Sequence, residues 1–232
     1  MQKKTFQKAF KDSLPVFAGY LCLGAGFGIL LYDAGYSIWW ALLMSLTIYG
    51  GAMQYVGVDL LSSGASLIAT ALMTVMINAR YFFYSLSSLK RYAKVGKAKP
   101  YLIFSLTDET FSLINRPDAT DGVDAKRYYL YLSALDQSYW ILGGICGMVL
   151  GRLLPIDTAG VEFVMTALFV TIFIDQWKQT KQHLPALLGV GISLLFLLVL
   201  GADAFVIPAM VALTVILALS RKRLEKDEVE KQ

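Results

Sequence analysis

The chain of 232 residues contains a single histidine and two cysteines, and only 16% of it is charged. One histidine, His183 in a polar loop, cannot build a histidine metal cluster or a histidine-based catalytic triad. Cys22 and Cys146 each lie within an apolar run and read as small hydrophobes, so no disulfide framework is expected. The net charge of +4 is spread beside apolar segments instead of forming a continuous basic patch, which argues against a nucleic-acid partner. Gly24-x-Gly26-x-Gly28 is no dinucleotide loop, because it lies inside an apolar helix and does not follow a strand. With no metal site and no recognisable nucleophile, neither a cofactor nor an enzymatic activity is expected.

What the chain has in quantity is apolar sequence: 56% of its residues are hydrophobic, with a mean hydropathy of +0.57. The apolar stretches run at 14 to 31, 38 to 60, 66 to 89, 128 to 151, 162 to 174, 184 to 200 and 204 to 219. Their lengths are helical and none alternates as barrel strands do. An all-α, polytopic transmembrane bundle follows, forming a single integral membrane domain over 1–232. Lysines before residue 12, the cluster from Lys90 to Lys99, Lys126 with Arg127, Lys178 with Lys181, and Arg221 to Arg223 mark the cytoplasmic side. Both the basic N-terminus, 1–12, and the charged tail, 221–232, are then cytoplasmic. The N-terminus resembles a signal peptide but leads into no soluble domain, so it reads as a retained first helix.

Three complete spans before Lys90 would leave that cluster outside, so one element in the first half does not cross. Residues 38 to 60 are the candidate, because Gly50 and Gly51 interrupt the run and permit a break. Irregular backbone is tolerated in a membrane only where protein buries it or it lines a cavity. Residues 101 to 115 are short, flanked by basic residues and polar at the centre, and should return to the side they came from. A helix through them would align Ser105, Glu109 and Ser112 on one stripe and Asp108, Ser112 and Asn115 on another. The expected architecture is therefore about six full spans plus broken or re-entrant helices near 38–60 and 101–115. Gly24-x-x-x-Gly28 and Gly143-x-x-x-Gly147-x-x-x-Gly151 read either as an echo between two halves or as independent packing interfaces. Trp39, Trp40, Tyr128, Tyr129 and Trp177 fall where interfacial aromatic belts are expected.

Arg80 is the most informative residue. About ten helical residues separate it from Lys90, which places it roughly 15 Å deep in a hydrocarbon core about 30 Å thick. Insertion there costs about 2.5 to 3.5 kcal/mol, so the guanidinium should face a bundle interior, a watery cavity or a counter-charge. The alternative is a structural ion pair or snorkelling. On an ideal helix Thr74, Asn78, Tyr81 and Ser85 share a face, while Arg80 stacks with Met76 and Tyr84. Asn78 and Arg80 therefore contact different neighbours unless the helix is disturbed. Asp108 and Glu109, an adjacent acidic pair within an apolar segment, are the natural partners, able to pair with Arg80, bind an ammonium or carry a proton; a solvated interfacial face is the alternative. Asp136, with Gln137 beside it, is a further candidate. A half-helix starting near Ala52 would aim its donors, with Gln54, at an anionic carboxylate; a packing kink would use the same glycines.

Four motifs, YGGAMQY over 49–55, INARY over 77–81, LTDET over 106–110 and VEFVMTALF over 161–169, together resemble the AzlC family, the large subunit of bacterial branched-chain amino-acid exporters. The resemblance runs from about Asp12 to about Ser220. It implies export of valine, leucine, isoleucine and in some cases methionine or azaleucine across the cytoplasmic membrane, with a small hydrophobic AzlD-like partner subunit. The family's Gly-x-x-Gln element falls on Gly51 and Gln54, its Asn-x-Arg element on Asn78 and Arg80, and its acidic pair on Asp108 and Glu109. The chain departs from the family at Glu162, where aspartate is expected, and at Tyr81, where histidine is frequent; the missing histidine weakens any proton relay at Tyr81. Gly51, Gln54, Asn78, Arg80, Asp108, Glu109 and Asp136 are thus the candidate substrate-binding or coupling residues of a proton-driven antiporter. Branched-chain amino acids, protons, membrane lipid and the small subunit are its expected partners. A non-transporting scaffold or assembly subunit is the alternative function.

Overall fold

The computed structural model describes residues 2–154 and 183–201, together with scattered positions between 163 and 178 and between 205 and 219. Much of the spans expected at 162 to 174 and 204 to 219, and most of the motif at 161 to 169 including Glu162, fall outside the described residues, as does the whole 221–232 tail. Contacts divide the chain into two compact units, 1–168 and 169–232. Among the described residues of both, all regular secondary structure is helical.

The first unit is built on α1 (Gln2–Asp33) and α7 (Ala125–Leu153). The two helices lie side by side and run parallel: Phe6 meets Tyr131, Asp12 meets Tyr128, Gly24 meets Gly143, and Tyr32 meets Gly151. Glycine is what permits this. A Cβ on Gly24 would sit 3.0 Å from the Gly143 Cα and the Trp140 carbonyl oxygen. One on Gly28 would overlap the Gly144 carbonyl, and one on Gly147 would overlap that of Ala25. The two small-residue motifs are thus the facing halves of one interface, which neither a repeat nor separate interfaces describes. The first helix is also longer than its apolar run, because the basic N-terminal segment continues it. Thr5, Ala9 and Ser13 are fully buried there, and Lys8 pairs with Asp12 at 3.5 Å.

Two broken elements lean on this pair. Helices α2 (Ile38–Thr47) and α3 (Gly51–Ser62) form a tight hairpin. Residues 44 and 57 would lie about 20 Å apart on a continuous helix, yet the Met44 methyl reaches within 3.1 Å of where a Gly57 Cβ would stand. Gln54 Nε2 likewise donates to Ser45 Oγ at 3.2 Å. At the tip Tyr49 takes a left-handed conformation, φ 40°, and Gly50 is extended. For a non-glycine residue that geometry costs about 1–2 kcal/mol, so the surrounding packing must impose it; Tyr49 is 3% exposed.

Helix α4 (Leu67–Ser88), capped by Ser66, is continuous through Arg80. After two 3₁₀ turns the chain enters α5 (Lys99–Phe104), breaks at Ser105 to Thr107, and resumes as α6 (Asp108–Ile114). The break interrupts the polar stripes that a helix through 101 to 115 would have formed. Thr107 caps α6, its hydroxyl accepting from the Thr110 amide, and Asp108 and Glu109 follow in the first turn, where carboxylates suit the helix dipole. Tyr101 on α5 and Thr110 on α6 both reach adjacent residues of α7, Gln137 and Asp136. The chain therefore folds back at the break.

The α2–α3 hairpin hangs from the C-terminal end of α1, and the α5–α6 element from the N-terminal end of α7. Because α1 and α7 are parallel, the two broken elements enter from opposite ends and meet between them, where the Tyr49 and Phe104 rings face each other at 6.3 Å. Gln2–Asp33 and Leu67–Ser88 are long and apolar enough to cross a membrane by length and composition. Tyr128 and Tyr129, expected at the interface, are 0% and 5% exposed; Tyr128 donates to Asp12 at 2.8 Å. Trp39, by contrast, is 73% exposed. Cys22 and Cys146 both face outward from their helices.

In the second unit α8 (Leu184–Leu200) is apolar throughout, begins beside His183 and ends at Gly201 with φ 77°. The His183 ring stacks on Trp177 at 3.9 Å.

Candidate functional site

All seven of the sequence-selected residues lie around the two breaks. Arg80 Nη2 lies 3.0 Å from Asp108 Oδ2, joining the middle of α4 to the first turn of α6, and both side chains are about a quarter exposed or less. The guanidinium also stands 5.1 Å from the Tyr81 ring centroid and 3.4 Å from its hydroxyl. Tyr84, one turn on, stacks flat on Phe111 of α6 at 4.3 Å. Asn78 points elsewhere: its Oδ1 is 3.4 Å from where a Gly50 Cβ would be, beside the α2–α3 tip. The two side chains thus contact different elements from one undisturbed helix.

Gly51 opens α3 against the Trp140 ring of α7, which a Cβ there would approach to 2.9 Å. Gln54, fully buried, is held at both ends: its Oε1 accepts from the Trp140 indole at 2.8 Å and its Nε2 donates to Ser45. Its amide therefore locks the hairpin to α7.

Glu109 and Asp136 are joined through side-chain hydroxyls. Tyr20 of α1 donates to Glu109 Oε2 at 2.7 Å and stands 2.6 Å from Thr107 Oγ1. Thr107 reaches Thr110 at 3.2 Å, and Thr110 donates to Asp136 Oδ2 at 2.7 Å. Asp136 is fully buried. Several buried polar atoms around the breaks have no protein partner: Asn78 Oδ1, Arg80 Nε, Asp108 Oδ1 and Asp136 Oδ1. Such atoms cluster where a site receives water, ions or a ligand. One is a donor on a cation and the others are acceptors, two of them on carboxylates. From the Lys97 and Lys99 end, an open groove of about 1040 Å³ lined also by Pro100 and Ile103 runs to Phe104, whose ring faces Tyr49. Among the described residues no three metal-ligating side chains converge.

Sequence reasoning passed over Tyr20, Tyr49, Tyr101 and the paired threonines as functional groups. A tyrosine in an apolar run reads as a hydrophobe, and only its burial beside a carboxylate reveals the hydroxyl. Thr107 did carry a signal, since threonine immediately before an acidic pair marks a helix N-cap.

Among the described residues the class is an all-helical protein, consistent with a membrane bundle, in which two broken elements meet near an ion pair. The AzlC protein family model matches residues 15–154. The branched-chain amino acid transport protein AzlC of Bacillus subtilis (strain 168) is 39% identical over 97% of this chain and 88% of its own length. An uncharacterized membrane protein of Helicobacter pylori (strain ATCC 700392 / 26695) is 42% identical over 95% of this chain and 98% of its own. The inner membrane protein YgaZ of Escherichia coli (strain K12) is 29% identical over 78% and 76%. No solved structure matches the chain. The protein belongs to the AzlC family.

Proposed function

We propose that this chain is a secondary transporter that exports branched-chain amino acids from the bacterial cytoplasm, driven by the proton gradient and working with a small hydrophobic AzlD-like subunit. The observation that carries the reading is the Arg80–Asp108 pair at the meeting of two helix breaks, with Arg80 Nε and Asp108 Oδ1 still unpaired. A zwitterionic amino acid needs one donor for its carboxylate and one acceptor for its ammonium, and these two atoms are such a set. The amides of the first turn of α3, from Gly51, supply further donors for the carboxylate, and Asn78 Oδ1 a neutral acceptor for the ammonium. Met73, Met76 and Tyr84 share the Arg80 face of α4 by helical spacing and offer apolar surface for a branched side chain, and methionine adapts to several such shapes.

Helices broken at mid-membrane, with their ends turned to a charged centre, are a recurrent construction in secondary transporters. The apolar groove beside Lys97 and Lys99 then faces the cytoplasm, as the positive-inside rule requires of that basic loop. On this topology both termini are cytoplasmic, the α2–α3 hairpin enters from outside, the α5–α6 element enters from the cytoplasm, and about six helices span the membrane. The energy suffices: one charge crossing 100 mV is worth about 2.3 kcal/mol, against about 1.4 kcal/mol for a tenfold substrate gradient.

Reconstituted vesicles test the reading. Chain plus small subunit should move labelled leucine or valine against its gradient when a pH difference is imposed, and collapse of that difference should stop it. Vesicles that move neither amino acid, with or without the small subunit, overturn it.

A further inference from the structure

We propose that Glu109 and Asp136 hold one proton in common, and that Tyr20, Thr107 and Thr110 carry it from one carboxylate to the other. The inference rests on the proton-driven reading and names the path within it.

The argument is a count of hydrogens. Four links join Glu109, Tyr20, Thr107, Thr110 and Asp136 in sequence, at 2.7, 2.6, 3.2 and 2.7 Å. The three hydroxyls between the carboxylates bring three hydrogens for those four links. With both carboxylates ionised, one link lacks a hydrogen and two oxygens face each other lone pair to lone pair. One added proton supplies the missing hydrogen, and a second is surplus. A single proton therefore completes the chain, and burial makes the difference large, because a hydrogen bond left unmade away from water has no solvent to replace it.

The completed chain has two forms of equal composition. With the proton on Glu109, its carboxyl donates to Tyr20, Tyr20 to Thr107, Thr107 to Thr110, and Thr110 to the Asp136 carboxylate. When the Glu109 proton passes to the Tyr20 oxygen, Tyr20 releases its own to Thr107, Thr107 releases its own to Thr110, and Thr110 delivers one to Asp136. Each O–H broken is replaced by one formed, and every arrow reverses. No oxidant, ion or further base takes part.

The neighbours leave this pair to itself. Asp108, adjacent to Glu109, is already matched to Arg80. Among the described residues, the other titratable groups facing Glu109 are Tyr20, Tyr49 and Tyr81, and those facing Asp136 are Tyr20, Tyr49 and Tyr101. Tyrosines stay neutral at ordinary pH, and among the described residues no cation acts on either carboxylate. The chain also ties the interlocked α1–α7 pair to the α5–α6 break, since Tyr20 comes from α1, Asp136 from α7, and Thr107, Glu109 and Thr110 from the break.

Infrared difference spectroscopy of the purified full chain tests this without any transport, by following the carboxylic acid C=O band as pH is lowered. In the parent protein Glu109→Gln should move the Asp136 titration by about one pH unit or more, and Asp136→Asn should move that of Glu109 equally. Thr110→Val and Tyr20→Phe each cut the chain with little change in shape, and either should abolish most of the coupling, while Thr110→Ser keeps it. Two independent carboxylic acid steps in the parent overturn the proposal. So does coupling that survives both cuts, which would be through-space repulsion. Since the readout needs no substrate, a chain that moves no amino acid in vesicles would fail the transport reading and leave this one measurable.

Discussion

Removing Arg80 should damage the protein twice, once in stability and once in transport, and the two can be separated through its partner. At 3.0 Å two unit charges attract by about 5 to 6 kcal/mol at an effective dielectric near 20. Both side chains retain about a fifth to a quarter of their exposure, so solvent screening lowers the coupling to about 2–3 kcal/mol. Arg80→Ala leaves the Asp108 carboxylate without its cation, and Asp108→Asn leaves the guanidinium without its anion. The double variant Arg80→Met with Asp108→Leu strands nothing and should recover most of the loss, because a buried pair is often replaceable by well-packed hydrophobes. Thermal unfolding of the parent, Arg80→Met, Asp108→Leu and the double variant in one detergent gives the coupling as a double-mutant cycle. Transport should behave oppositely: Arg80→Lys retains part of it, while Arg80→Ala and the restored double variant have none. A coupling below about 0.5 kcal/mol would sink the ion-pair argument. Normal leucine export by the double variant would remove the pair from the substrate site.

The remaining predictions test the frame around that pair. Ser62→Cys should label with an impermeant thiol reagent from outside the cell and Lys97→Cys only from the cytoplasm; labelling from one common side refutes the proposed entry of the two broken elements. Gly28→Ala should destabilise by about 1–3 kcal/mol, because its methyl meets the Gly144 carbonyl. Gly19→Ala, with open space around the position, should be neutral or gain up to about 1 kcal/mol from helix propensity; equal effects in unfolding experiments would contradict the close approach of α1 and α7. Trp140→Phe removes the donor to Gln54 and should cost about 1–3 kcal/mol, most of it recovered by adding Gln54→Leu. No recovery would mean that Trp140 acts through its ring alone.

Charge and glycine were the legible parts. Arg80, Asp108 and Glu109 stand out because apolar surroundings make ionised groups expensive, and the structure brings Arg80 to Asp108. Gly50 and Gly51 announced the break in 38 to 60, although the residue that turns left-handed is Tyr49, whose aromatic ring gives no local hint of that conformation. The glycine spacing in α1 and α7 revealed small faces without saying that each was the other's partner, since spacing reports a surface and only tertiary structure reports what covers it. The hydroxyl groups were invisible for a different reason. Tyr20 in α1 and Tyr101 in α5 have the same composition as lipid-facing aromatics, and their hydrogen bonds span 87 and 36 residues. Such pairings leave no trace in local periodicity.

The interlocked backbones of α1 and α7 also decide which parts can move. Where a carbonyl of one helix occupies the notch left by a missing side chain on the other, neither sliding nor rolling is possible without first prising the pair apart. The two helices therefore form a keel, and any rocking that opens the centre first to one face and then to the other falls to the jointed segments braced against it.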